Sequence, residues 1–88
     1  MKMKVTQIIK LRSAKWLGDY KVELQFEDNV TRQIDFKNFL FTHPHPQHDK
    51  YKKTSHFRKF KIERNNLVWG KNWDLEFDLW RLYQGINP

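Results

Sequence analysis

Asp19-Tyr20-Lys21-Val22-Glu23-Leu24-Gln25-Phe26-Glu27-Asp28-Asn29-Val30-Thr31-Arg32-Gln33-Ile34-Asp35-Phe36 is the stretch that decides the fold. Tyr20, Val22, Leu24 and Phe26 alternate with Lys21, Glu23, Gln25 and Glu27. Successive side chains on a strand point to opposite faces, so this period of two predicts a half-buried strand with one wet face. Asp28-Asn29 comes next, and Asn tolerates the positive φ that a tight turn requires. Val30, Ile34 and Phe36 then share one parity against Thr31, Gln33 and Asp35, which predicts the return strand of a hairpin.

Upstream, Val5, Ile9 and Leu11 share a parity, and Lys4 to Leu11 reads as a strand. Ser13 to Asp19 reads as a connector ending in Gly18-Asp19 turn chemistry. Downstream, Asp35 is placed to cap a short helix in which Phe36, Phe39 and Leu40 form an i, i+3, i+4 stripe. His43-Pro44-His45-Pro46 ends that helix, because proline removes a donor and biases its predecessor toward extended geometry. Residues 42–53 read as a long loop. Thr54 or Ser55 can cap a second helix carrying Phe57 and Phe60. Phe60, Ile62 and Arg64 extend into a strand, Asn65-Asn66 reads as a turn, and Leu67 to Trp69 as its partner. Gly70-Lys71-Asn72 breaks that strand. Asp74 or Asp78 can cap a last helix whose Leu79, Leu82 and Tyr83 face inward. The expected fold is α+β: an antiparallel sheet of about five strands built from hairpins, with two or three short helices on one face.

Composition bounds the function. The chain has 88 residues, few enough for a single domain over 1–88, and it is 16% aromatic, too much for a disordered tail. It has no cysteine, which excludes disulfides, cysteine zinc sites and thiol catalysis. Mean hydropathy is −0.89, and no apolar run approaches the roughly 20 residues of a membrane helix. The opening Met-Lys-Met-Lys-Val-Thr-Gln has no apolar stretch of a secretory signal. A cytoplasmic, bacterial-type protein without membrane contact is expected.

Charge is concentrated. The net charge is +7, and the densest basic segment is 43–64. Lys50, Lys52, Lys53, Arg58, Lys59, Lys61 and Arg64 lie there, with Tyr51 among them as a stacking side chain. Such a cluster attracts polyanions through its field and through counterion release, and sequence-tolerant nucleic-acid binding is one reading. A solvated, solubilising face is the plainer one.

Other constellations are sparse. His43, His45, His48 and Asp49 have donor atoms suited to zinc or copper, but a polar loop carries such residues equally well, and no metal or cofactor is expected. Asp74, Glu76 and Asp78 alternate as a carboxylate dyad would, yet helix capping accounts for them. The three glycines, at 18, 70 and 85, are too scattered for a phosphate loop. No catalytic residue is assigned, and the chain reads as a non-enzymatic module. The aromatic surplus remains. Four tryptophans and ten other aromatic residues exceed what one small core takes up. Trp16, Trp73 and Trp80 are therefore the expected anchors of a protein partner.

Two blocks carry a family resemblance. The first runs from Asp19 to Asn29 and on through Arg32, Ile34-Asp35-Phe36, Phe39 and Leu40. The second is Phe57-Arg58-Lys59-Phe60-Lys61-Ile62, then Leu67-Val68-Trp69, Trp73-Asp74-Leu75 and Leu82-Tyr83. In order and spacing they resemble the small bacterial family known as domain of unknown function 2442, over a core of 4–83. The chain departs from that pattern at Asn29, where the family usually has glycine, at Trp73, where it has a small or turn residue, and in the His/Pro-rich loop 42–53. The resemblance implies a small α+β domain, no established enzyme activity, and an antitoxin-like partner of a small toxin.

Overall fold

The computed structural model describes residues 9–43 and 45–88. The deciding stretch forms a hairpin, β2 (Lys21–Phe26) and β3 (Thr31–Asp35), with Val22 opposite Ile34 and Leu24 opposite Arg32. Val22, Leu24, Phe26 and Ile34 are all buried, as their parity requires. Asn29 adopts φ 71°, and the Asp28 carboxylate accepts from the Val30 amide at 3.1 Å, which fixes the turn.

The expected strand Lys4 to Leu11 falls largely on residues 4–8, which lie outside the described residues. β1 spans Leu11–Gly18, so most of the expected connector is strand. β1 pairs antiparallel with β2, but its register slips between Leu11 and Ser13 and again between Trp16 and Gly18. Each extra residue is a bulge, and a bulge inverts the parity of the residues beyond it. Leu11 and then Ala14 and Trp16 thereby pack against the same core. A simple alternation could not reveal this strand.

A single sheet of five strands is not formed. Among the described residues there are two antiparallel three-stranded sheets, β1-β2-β3 and β4-β5-β6. The second comprises β4 (Lys61–Glu63), β5 (Asn66–Trp69) and β6 (Leu75–Glu76). The free edge of β3 meets the chain's C-terminal segment instead of another strand. Arg32 Nε donates to the Tyr83 carbonyl at 2.8 Å, and the Asp35 amide donates to Asn87 Oδ1 at 3.0 Å. β5 is buried on both faces, since Leu67, Val68 and Trp69 are all buried.

Short helices join the sheets. α1 (Lys37–Thr42) starts where Asp35 Oδ1 accepts from the Lys37 amide at 2.9 Å. The expected loop 42–53 holds α2 (Pro46–Asp49) and a 3₁₀ turn over Lys50–Lys52. His45 caps α2 through its ring nitrogen, a role usually given to Ser, Thr or Asp. α3 (Thr54–Phe57) lacks the side-chain cap expected of Thr54 or Ser55, because the helix begins at Thr54 and Lys53 stands in the cap position. The β4–β5 turn is Arg64-Asn65, one residue earlier than expected, with both residues at positive φ. α4 (Leu79–Tyr83) is capped by Asp78, whose carboxylate accepts from the Trp80 amide at 3.1 Å. It closes on Gly85 at φ 79°, where Gly85 N–H bonds the Leu82 carbonyl and Ile86 N–H the Arg81 carbonyl, a Schellman ending.

One core ties these elements together: Phe26 from the first sheet, Phe36 just beyond β3, Leu40, Phe57, and Leu67, Trp69 and Leu75 from the second. Trp69 sits at its centre, edge-on to Phe36 at 5.4 Å and to Phe77 at 5.8 Å.

Candidate functional site

The three candidate tryptophans occupy different environments. Trp16 lies on β1, half-buried, and its indole N–H donates to the Asp19 carbonyl at 3.0 Å. The Arg58 guanidinium stands 5.4 Å over its ring. Trp73 is also half-buried, at φ 55°, a conformation that disfavours bulky side chains. Its indole N–H donates to Glu63, and that bond, followed by the Lys61 ammonium, holds the Glu63 carboxyl below its ordinary range. Both rings are thus held by contacts within the fold and keep part of their surface exposed.

Trp80 differs. It is 46% exposed on α4. Its ring stacks on Tyr83 with centroids 5.7 Å apart and planes inclined by 12°. One helical turn separates the two residues, so the helix itself sets the stack. Tyr83 is fixed from the other side. Its ring meets Phe26 edge-on at 4.9 Å, its hydroxyl donates to Asp28, and Arg32 bonds its carbonyl. The hydrogen bond from Tyr83 holds the Asp28 carboxyl below its ordinary value and raises the Tyr83 hydroxyl above its own. Trp80 is thereby an exposed ring on a platform bound to the first hairpin.

The basic cluster divides. Tyr51 is 4% exposed, so its ring cannot stack on a base; it packs in the core because the 3₁₀ turn aims it inward. Lys52 pairs with Asp49 at 3.4 Å and lies over Phe41. Arg58 is taken up by Trp16, and Arg64 forms the hairpin turn. Lys53 is exposed beside α3, in the cap position of that helix and away from the lysines that converge on one cavity. Lys50, Lys59 and Lys61 converge with His56 and Lys71 around a cavity of about 290 Å³, whose lining also includes Tyr51 and Gly70. Lys71 is not among the expected residues. The β4–β5 hairpin folds it back beside Lys59, and the hairpin pattern is the signal that could have found it.

The histidine loop is committed locally. His43 Nδ1 lies 3.0 Å from Thr42 Oγ1, and its ring stacks on Phe39. His45 caps α2. His48 packs near Phe39 with its Nδ1 buried and unpartnered among the described residues. No group of three metal-ligating side chains occurs among the described residues. The carboxylates do not converge either: Asp35 and Asp78 cap helices, and Asp74 pairs with Lys50 at 3.4 Å. No helix among the described residues is long and apolar enough to cross a membrane.

Comparison with family models, curated proteins and solved structures gives no match to this chain.

Proposed function

We propose that the chain is a small non-enzymatic binding module that docks a protein partner through Trp80. The observation that carries this reading is the exposed Trp80 ring stacked on a Tyr83 that is itself fixed by Asp28, Arg32 and Phe26. A rigid aromatic side chain already held in place gives up little rotamer freedom on binding, which is what an interface anchor needs. The resemblance to domain of unknown function 2442 points the same way, toward an adaptor of the antitoxin type.

A photo-reactive residue at the exposed position Gln84, one turn beyond Trp80, tests this in the native host. The expected result is a discrete protein adduct that excess wild-type chain competes away and the Trp80→Ala chain does not. Equal competition by both chains would remove Trp80 as the anchor.

A further inference from the structure

The lysine-lined cavity shares no residue with the Trp80 platform. Four lysines line it, Lys50, Lys59, Lys61 and Lys71, together with His56. Two carboxylates answer them: Asp74 lies 3.4 Å from Lys50, and Glu63 lies 3.2 Å from Lys61. Among the described residues Lys59 and Lys71 have no carboxylate within ion-pairing distance. Lys50 is held charged above the ordinary lysine range by Tyr51 and by its hydrogen bond to Asp74.

The cavity wall is built closely around Gly70. This residue sits at φ +86°, and a Cβ there would fall 2.9 Å from Tyr51 Oη and 2.5 Å from Asp74 Oδ2. The missing side chain lets the phenol and the carboxylate approach the backbone beside Lys50. The buried Tyr51 ring thus brings its hydroxyl to the wall beside Gly70 and the Lys50 ammonium.

We propose that this cavity binds the phosphate groups of a polyanionic ligand. Its chemistry suits a compact anion of high charge: among the described residues its cations are lysines, which act as point charges, and no arginine fork lines it. Phosphate offers several oxygens around one centre, and lysines converging from different elements meet it as separate point charges. Lys50 and Lys61 form exposed ion pairs that exchange readily for a more highly charged anion. With the Tyr51 ring buried, the cavity's lining residues offer no exposed phenol, phenyl or indole face, and the ammonium groups make phosphate the main contact. The source is either a polynucleotide backbone or a small polyphosphate.

Amide chemical shifts of the full chain, followed against tripolyphosphate, an oligothymidylate of about twelve nucleotides and polyglutamate at about 20 mM and 150 mM salt, test this. Binding should perturb Lys59, Gly70 and Lys71 and weaken with salt. Lys59→Glu with Lys71→Glu should weaken it about tenfold or more, and the milder Lys59→Gln with Lys71→Gln should weaken it in the same direction. Lys10→Glu with Lys37→Glu changes the net charge equally at exposed positions elsewhere and should have less than about a third of that effect. Tripolyphosphate binding alone identifies a small polyphosphate ligand; tighter oligothymidylate binding identifies the backbone. No binding of either at low salt, equal weakening by the cavity and control pairs, or equally tight polyglutamate binding would overturn the proposal. None of these readouts involves Trp80, so the partner-docking reading stands or fails separately.

Discussion

The indole N–H of Trp69, a fully buried side chain on β5, donates to the main-chain carbonyl of Phe57 at 2.6 Å. This bond ties the second sheet to the end of α3, at the centre of the aromatic cluster. Trp69→Phe leaves the Phe57 carbonyl buried without that partner. Such an orphaned acceptor costs about 1–3 kcal/mol, to which the smaller ring adds unfilled volume. Urea denaturation should show the loss as a lower midpoint with an unchanged slope.

The hairpin β2–β3 is legible in the sequence because one buried and one wet face impose a strict alternation on Val22, Leu24, Phe26 and Ile34. β1 is not, because one bulge changes which residues face inward between Leu11 and Trp16 and a second follows Trp16. The division into two sheets is also hidden. It depends on Arg32 and Asp35 bonding to Tyr83 and Asn87, more than fifty positions away. Local pattern does not report such long-range pairings. At the candidate sites, residue type alone cannot tell Trp80 from Trp16 and Trp73, since each indole's burial is set by tertiary neighbours. Tyr51 reads as exposed because it stands among lysines, yet the 3₁₀ turn carries it inward.

Gly70 gives a second stability test. Gly70→Ala places a methyl group against the Asp74 carboxylate and the Tyr51 hydroxyl, in a left-handed conformation that alanine resists. The expected loss exceeds about 1 kcal/mol. Gly18 lies at φ +109° with open space around it, so Gly18→Ala should show the conformational cost without the clash. A larger drop in melting temperature for position 70 than for position 18 is expected.

The β4–β5 turn is open to improvement. Arg64 and Asn65 have φ of 51° and 68°, the conformation that Asn-Gly adopts best. Arg64→Asn combined with Asn65→Gly should raise stability by about 0.5–1 kcal/mol, because both replacements accept positive φ more readily, read as a higher midpoint in thermal unfolding.

Stability should fall at both ends of the pH scale. Tyr83 holds Asp28 below its ordinary 3.8, and Trp73 holds Glu63 below its ordinary 4.5. The native state therefore binds fewer protons than the unfolded chain in acid. Their contribution is complete above those ordinary values and is lost as pH falls through the lowered native ones. Tyr83 runs the other way: Asp28 raises it above 10.0, so its contribution is present below that value and is lost as pH rises through the native one. Melting temperatures across pH should show both flanks, and Tyr83→Phe should flatten the Asp28 part of the acid flank and the Tyr83 part of the alkaline one.

The affinity of the cross-linked partner for wild-type and Trp80→Ala chains tests the central claim most directly. The ring is exposed and stacked on a fixed Tyr83, so truncation should leave the fold intact. Removal of a central aromatic anchor costs about 2 kcal/mol or more, so calorimetric titration should show binding weakened by about thirtyfold, with the variant's circular dichroism unchanged. An affinity that is the same for both chains would contradict the account.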